Sequence, residues 1–87
     1  MRVSAEVVAR RVDEKIVLVH LGSDQIYSLN VTGGRYWELL AEQLDPDAIV
    51  STLVAEFDID ETSVRDEIAR LTSDLLHHGL VVGDPHG

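Results

Sequence analysis

The sequence predicts an α+β domain of winged-helix-like form, in which a three-stranded antiparallel sheet is followed by three helices. Apolar residues alternate with a period of two as far as Leu29, and from Asn30 onward they recur at helical spacing. The segments before Asn30 are joined by connections too short for crossover helices, so neighbouring strands must be antiparallel. Strands first and helices afterwards indicate an α+β fold.

The predicted strands are residues 6–12, 15–21 and 25–29. A tight turn at Asp13-Glu14 separates the first two, and Gly22-Ser23-Asp24 breaks the chain before the third. Residues 1–5 show no clear period and are interpreted as a loosely attached lead-in.

Three helices are predicted from their start signals. Asn30 is a candidate N-cap for the first, and we expect Gly33 to allow close packing of this helix on the sheet. Asp45-Pro46 starts the second helix, Asp60 caps the third, and Gly79 ends it. One core is expected from the apolar faces, comprising Trp37, Leu40, Leu53, Phe57, Ile68 and Leu71.

Length and composition limit the chain to one small domain. Its 87 residues are predicted to fold over 6–82, with flexible ends at 1–5 and 83–87. The sequence has no cysteine, no signal-peptide pattern and no apolar run long enough to cross a bilayer. A cytoplasmic location without membrane contact is therefore expected.

The net charge of −9 argues against nucleic acid as a partner. Seven basic residues among sixteen acidic ones cannot form a sizeable positive face, and DNA binding requires Lys and Arg to replace condensed counterions. The charge favours a neutral or basic partner, or else serves only solubility.

No catalytic residue, metal site or cofactor is predicted. His77 and His78 are adjacent on a helix and cannot face one point, and the carboxylates occur in turns and at helix starts, where they suit the helix dipole. No nucleophile elbow or phosphate loop is present. An acidic carrier domain would need a modifiable serine at a helix start, whereas Ser23 lies between strands.

The third predicted strand is an unprotected edge. Residues 25–29 contain no Lys, no Pro and no charge, although Asp24 adjoins them. Such an edge can accept the backbone of another chain, unless the N-terminal segment or a helix covers it.

The third helix could form the other wall of a groove beside that edge. Its apolar stripe is flanked by residues that include small side chains, which would leave room for a guest side chain. The stripe contains Ile68, Leu71 and Leu75, and the flanking residues are Arg65, Ala69, Thr72 and Leu76.

The same stretch carries a family resemblance. A hydrophobic strand, a Gly/Asp-rich turn, Tyr27-Ser28-Leu29-Asn30, Thr32-Gly33 and an aromatic-rich helix resemble the PqqD-like leader-recognition domains, and the resemblance covers residues 7–82. Those domains bind the leader peptides of ribosomally made, post-translationally modified natural products. A short free-standing chain is most similar to the leader-binding protein of lasso-peptide systems.

The resemblance implies a non-catalytic adaptor with no cofactor. A precursor leader peptide would add antiparallel to the third strand and lie against the third helix, and a separate leader peptidase or other modifying enzyme would receive it. The pyrroloquinoline quinone peptide chaperone is an alternative, and a winged-helix DNA-binding domain is another. The expected peptide-binding residues are Asp24, Gln25, Ile26, Tyr27, Ser28, Leu29, Val64, Arg65, Glu67, Ile68, Ala69, Leu71, Thr72, Leu75 and Leu76.

Two further expectations concern the groove. Thr72 departs from the family, whose members often have a larger apolar residue there. If Asp24, Glu67 and Asp74 line the groove, peptide binding should weaken as the salt concentration rises.

Overall fold

Two β-hairpins build the three-stranded sheet of the computed structural model, which describes residues 2–83. Strands β2 (Val7–Val12), β3 (Lys15–His20) and β4 (Gln25–Leu29) follow a two-residue strand, β1 (Arg2–Val3). The sheet order is β2-β3-β4 and both pairings are antiparallel. Side chains alternate between two faces of a sheet, and the inner face carries the buried side chains of Ile16, Leu18 and Leu29.

Three helices follow the sheet along the chain, and each begins at the predicted cap. Helices α1 (Val31–Ala41), α2 (Pro46–Phe57) and α3 (Glu61–His77) start after Asn30, Asp45 and Asp60, whose side chains accept backbone N–H bonds of the first turn.

Gly79 ends α3 in a left-handed conformation, with φ of 71°. The Leu80 N–H donates to the Leu75 carbonyl over 2.9 Å, and the Gly79 N–H donates to that of Leu76 over 3.1 Å. These two bonds form a Schellman cap, which turns the chain back toward the core, where Leu80 is buried.

The core joins the sheet to all three helices. Trp37, Leu40, Leu53 and Leu71 are buried in it, as predicted, and Phe57 and Ile68 are partly buried against it. The α+β, winged-helix-like prediction is therefore confirmed, with the three strands and three helices in the expected order.

A second sheet of two short strands was not predicted. Strand β1 pairs antiparallel with β5 (Val81–Val82), and the Ser4 N–H donates to the Leu80 carbonyl over 2.9 Å. Two-residue strands are too short to show an alternating pattern in the sequence. The domain limits of 6–82 and the flexible ends remain predictions, and residues 1 and 84–87 lie outside the described residues.

Gly34, rather than Gly33, brings α1 close to the sheet. A Cβ atom on Gly34 would lie 2.7 Å from Ile16 Cγ1, which is closer than such contacts allow. A Cβ atom on Gly33 would lie at ordinary distances of 3.6 and 3.5 Å from Leu29 and Leu71, and its tightest contact, 3.2 Å, would be with the capping oxygen of Asn30 in the same helix start.

Candidate functional site

Strand β4 lies at one edge of the sheet, and its pairing shows which backbone groups face away from the sheet. The Leu21 N–H donates to the Glu6 carbonyl over 2.9 Å, just beyond the β2–β3 register. In an antiparallel ladder, the N–H and C=O of one residue point to the same side, and this side alternates along the strand. Odd-numbered residues of β3 therefore bond to β2, and even-numbered residues bond to β4.

It follows that Gln25, Tyr27 and Leu29 are hydrogen-bonded to β3, because their register partners are His20, Leu18 and Ile16. The backbone N–H and C=O groups of Ile26 and Ser28 must then point away from the sheet. Two residues of β4 thus offer outward-facing donors and acceptors to a further strand.

A groove of about 380 Å³ runs along this edge between β4 and α3. We call it the β4–α3 groove. Tyr27, Ser28 and Leu29 form its sheet side. Its helix side comprises Glu67, Arg70, Leu71, Asp74, Leu75 and the cap residue His78.

The groove continues toward the start of α3 into an adjoining cavity of about 290 Å³. Asn30, Gly33, Glu67 and Leu71 line both spaces. The adjoining cavity is mainly apolar, and its other walls include Tyr36, Leu53, Ile59, Val64 and Ile68. Apolar side chains of a guest peptide therefore have two connected spaces in which to bury surface.

At the opposite end of the groove, β4 contacts the end of α3. The Tyr27 hydroxyl lies 3.0 Å from His78 Nδ1, and the two rings are 4.7 Å apart. The same hydroxyl donates to the side-chain carbonyl of Gln25. These contacts set the spacing between the edge strand and the helix.

The charged residues of the groove form one small network. Arg70 bonds to Glu67 one turn before it and lies 3.8 Å from Asp74 one turn after it. Glu67 and Asp74 line the groove, whereas Asp24 does not, and together with Arg70 they give it a net negative charge.

The structure gathers six of the predicted site residues in the groove itself and two more in the adjoining cavity. The six are Tyr27, Ser28, Leu29, Glu67, Leu71 and Leu75, and the two are Val64 and Ile68.

Three predicted residues of α3 lie on another side of the helix. Arg65, Ala69 and Thr72 line a separate depression against α1 and α2. The Thr72 hydroxyl lies 2.7 Å from the hydroxyl of Tyr36, which is almost fully buried. Leu76 is 45% exposed and is not among the residues that line the groove. The structure therefore does not bring these four side chains to β4.

The start of β4 is also outside the groove. Asp24 occupies a left-handed turn position with φ of 56°, and the Ile26 side chain, 68% exposed, points to the outer face of the sheet. The Gln25 side chain does not line the groove, but its carbonyl accepts a hydrogen bond from the hydroxyl of Tyr27, which does. The backbone of Ile26 is nevertheless part of the free edge.

Sequence reasoning did not include Arg70, His78, Asn30 or Gly33 among the site residues. A helical projection starting from Glu67 would have found the helix side, because residues 67, 70, 71, 74 and 78 share one face at 3.6 residues per turn.

The resolved pKa shifts lie outside the groove. A hydrogen bond from Arg11 lowers the pKa of Glu38, and the Ser63 backbone N–H lowers that of Asp60 at the start of α3. Among residues 2–83, no group of His, Asp or Glu side chains is arranged to hold a metal ion. Within the same range, no helix is long and apolar enough to span a membrane.

Two solved structures share this architecture. One is described as "TbiB1 in Complex with the TbiA(beta) Leader Peptide"; it is 31% identical, with a TM-score of 0.90, over 97% of this chain and 98% of that one. The other is described as "Lasso peptide synthetase B1 complexed with the leader peptide"; it is 23% identical, with a TM-score of 0.85, over 94% of this chain and 96% of that one, and shows the shared fold.

A comparison with curated proteins gave no match. The family model described as "Coenzyme PQQ synthesis protein D (PqqD)" matches residues 15–81, which include β3, β4 and all three helices. The match spans both walls of the β4–α3 groove. This chain belongs to the PqqD family.

Proposed function

We propose that this chain is a non-catalytic adaptor for a ribosomally made natural-product precursor. It binds the leader peptide as an extra antiparallel strand on β4 and presents the rest of the precursor to a separate maturation enzyme. The observation that carries the proposal is the free backbone edge at Ile26 and Ser28 beside the β4–α3 groove. The 31% identical TbiB1, solved with a leader peptide, supports it.

The geometry of the edge also predicts which side chains of the guest peptide enter the groove. Guest residues opposite Tyr27 and Leu29 share the inner face with them, so side chains two positions apart enter the groove. The intervening guest residue faces outward.

Backbone bonds alone cannot give a tight complex. Ile26 and Ser28 provide up to four hydrogen bonds, each contributing about 1 kcal/mol net. A micromolar complex requires about 8 kcal/mol. Burial of guest side chains against Leu71, Leu75 and the adjoining cavity must contribute the rest, at about 1.5–3 kcal/mol for each large apolar side chain.

Delivery of a lasso precursor to a leader peptidase is our preferred role. Chaperoning of the pyrroloquinoline quinone precursor is the second candidate, because the matching family model carries that description. Titration with the two kinds of precursor peptide separates them. DNA binding is disfavoured by the excess of acidic over basic residues.

The proposal is tested by isothermal titration of a precursor leader peptide, identified from the reading frames that neighbour the gene, into three proline variants. Ser28→Pro and Ile26→Pro each remove one outward N–H, at about 1 kcal/mol, without breaking the ladder, and each places a proline ring where the guest backbone would lie, so we expect both to weaken binding by about fivefold or more. Ala9→Pro is the matched control, because Ala9 has an outward N–H on the opposite edge, by the same alternation. Circular dichroism checks folding. Wild-type affinity in folded Ser28→Pro and Ile26→Pro would contradict strand addition.

A further inference from the structure

One hydrogen bond joins the edge strand to the third helix. The Tyr27 hydroxyl on β4 lies 3.0 Å from Nδ1 of His78, the cap residue of α3, and the centres of the two rings are 4.7 Å apart. Within the described residues 2–83, no other hydrogen bond runs between β4 and α3 or its cap. At this end of the β4–α3 groove, the spacing between the two walls therefore depends on the Tyr27–His78 contact.

The two partners of this contact differ in how firmly their backbones are held. The His78 N–H donates to the Asp74 carbonyl over 3.1 Å, and the left-handed Gly79 completes the helix cap. Tyr27 belongs to an edge strand that is hydrogen-bonded to β3 alone. A strand paired on one side has fewer contacts to hold it, so β4 is the wall that shifts when the contact breaks.

The hydrogen-bond network assigns the proton of this contact. A tyrosine hydroxyl has one proton, and that of Tyr27 is donated to the side-chain carbonyl of Gln25. The Tyr27 oxygen can then only accept from His78, so Nδ1 must carry a hydrogen. Both the neutral ring with its hydrogen on Nδ1 and the doubly protonated ring meet this requirement. The charged ring makes the stronger bond, because a hydrogen bond from an ionised donor is about twice as strong as a neutral one.

The charges around His78 are of both signs. Every element that meets there contributes a titratable or charged group, and these groups are Asp74, Arg70 and His77 on α3, the pair of His20 and Glu6 at the end of β3, and Tyr27 on β4. The carboxylate of Asp74 and the C-terminal end of α3 favour a charged ring at His78, whereas Arg70 and a charged His77 oppose it.

We propose that His78 is a positioning residue of the leader site. It holds β4 at the spacing that a guest strand requires, and it does so more firmly when its imidazole ring is charged. A guest residue opposite Tyr27 enters the groove beside this contact, so it meets a wall whose position His78 sets. The inference rests on the proposed function and adds a determinant of leader affinity to it.

The contact acts on affinity through the fraction of the free protein that is competent to bind. Where one conformation alone is competent, the apparent dissociation constant equals the intrinsic constant divided by the competent fraction. A contact that is made only at the competent spacing raises this fraction. Because an imidazole ring gains its charge between about pH 8 and pH 5, leader affinity should increase as the pH falls through this range.

The test replaces the imidazole ring by a donor that does not titrate. His78→Asn keeps an amide N–H close to the position of Nδ1, whereas His78→Leu and Tyr27→Phe each remove the hydrogen bond. His77→Asn is the matched control, because His77 is exposed on the same helix end and does not line the groove.

Two measurements are made on each variant, with circular dichroism as the folding control. Isothermal titration with the same precursor leader peptide gives the affinity at about pH 8 and about pH 5.5, either side of the imidazole titration. Nitrogen NMR spectra of the histidine rings, recorded without peptide, show which nitrogen of His78 carries the hydrogen.

We expect wild type and His77→Asn to bind leader about twofold to threefold more tightly at the lower pH, and His78→Asn to lose this dependence. At the lower pH, His78→Leu and Tyr27→Phe should each bind about threefold more weakly than wild type, and the double variant should bind no more weakly than either. The His78 ring should carry its hydrogen on Nδ1 when neutral.

Equal pH dependence in wild type and His78→Asn overturns the inference, and so does weaker binding by wild type at the lower pH. A neutral His78 ring with its hydrogen on Nε2 also overturns it. A wild type that binds no leader at either pH would instead refute the proposed function, whereas the ring spectra test the contact without any peptide.

Discussion

At the scale of single residues, Gly34 determines how closely α1 approaches the sheet. Its absent side chain leaves room for Ile16, whose Cγ1 atom would lie 2.7 Å from an added Cβ. Both residues are in the buried core, so the neighbouring strand cannot move aside without disturbing its packing.

We therefore expect Gly34→Ala to lower the free energy of unfolding by about 1–3 kcal/mol, although alanine has the higher helix propensity. Gly83→Ala is the control, because a Cβ there meets nothing within 4 Å. Urea denaturation followed by tryptophan fluorescence measures both. Equal stability of Gly34→Ala and wild type would show that α1 packs less tightly than described.

The pair Tyr36 and Thr72 gives a second residue-scale prediction. Their hydroxyls are 2.7 Å apart, and Tyr36 is almost fully buried. Removing one partner leaves a buried hydroxyl unsatisfied, so Thr72→Val should destabilise the fold by about 1–3 kcal/mol. The double variant with Tyr36→Phe should be less destabilised than the sum of the single changes. Additive losses would mean that the bond contributes nothing to stability. Leader affinity should not change, since Thr72 lies away from the groove.

At this scale, the sequence predicted the helix N-caps and the buried core residues well, but it predicted less well which face of α3 lines the groove. Asn30, Asp45 and Asp60 were identified because a capping side chain acts on the backbone a few residues away. Which side of α3 faces β4 depends on tertiary packing. Shifting the helical pattern by a single sequence position moves it to the neighbouring face, so the sequence does not distinguish the two faces. For this reason Thr72 was expected at the groove, and Arg70 was not.

At the scale of elements, the two sheet edges differ in their protection. Edge strand β2 contains Arg10 and Arg11, whereas β4 has no charged residue and stands beside the groove. The sequence predicted the strands, their order and the unprotected edge, because alternation and short turns are local signals. It did not predict β1 and β5, which are held together by contacts between the two ends of the chain.

An ion-pair network joins β2, α1 and α2, and it predicts how the stability of the fold depends on pH. Arg11 on β2 bonds to Glu38 on α1 at 2.9 Å, and Arg35 bridges Glu38 and Glu56 on α2. The hydrogen bond from Arg11, supported by Arg35, lowers the pKa of Glu38. A carboxyl whose pKa is lower when folded stabilises the fold above its unfolded pKa of about 4.3, and this contribution is lost as the pH falls through the folded value.

Glu38→Gln should therefore be less stable than wild type at pH 7, by at most about 1 kcal/mol because the pair is partly exposed. The difference should shrink as the pH falls below about 4.3 and through the lowered pKa of folded Glu38. Thermal melts across this range measure it, with Glu42→Gln as an exposed control on the same helix end. A difference in melting temperature between Glu38→Gln and wild type that does not depend on pH would contradict the stabilising role of ionised Glu38.

At the scale of the whole molecule, charge is distributed unevenly along the chain. Residues 1–30 contain four basic and four acidic residues, whereas residues 31–87 contain three basic and twelve acidic ones. The net charge of −9 is therefore carried by residues 31–87, which include the three helices and the helix side of the β4–α3 groove.

We expect the dissociation constant of a leader that carries Lys or Arg to rise about severalfold between roughly 50 and 500 mM salt, because exposed charges are screened over a shorter distance. Glu67→Gln/Asp74→Asn, which removes two groove carboxylates, should reduce this salt dependence. Affinity that is the same at all salt concentrations would mean that the acidic groups serve solubility only.

The central claim is that a peptide strand bonds to the outward backbone of β4, and amide hydrogen exchange tests it most directly. In the free protein, the amides of Gln25, Tyr27 and Leu29 should be protected by the β3 ladder, whereas those of Ile26 and Ser28 should exchange fast. With saturating leader peptide, we predict strong new protection at Ile26 and Ser28. If the peptide binds and these two amides still exchange as fast as in the free protein, strand addition to β4 is wrong.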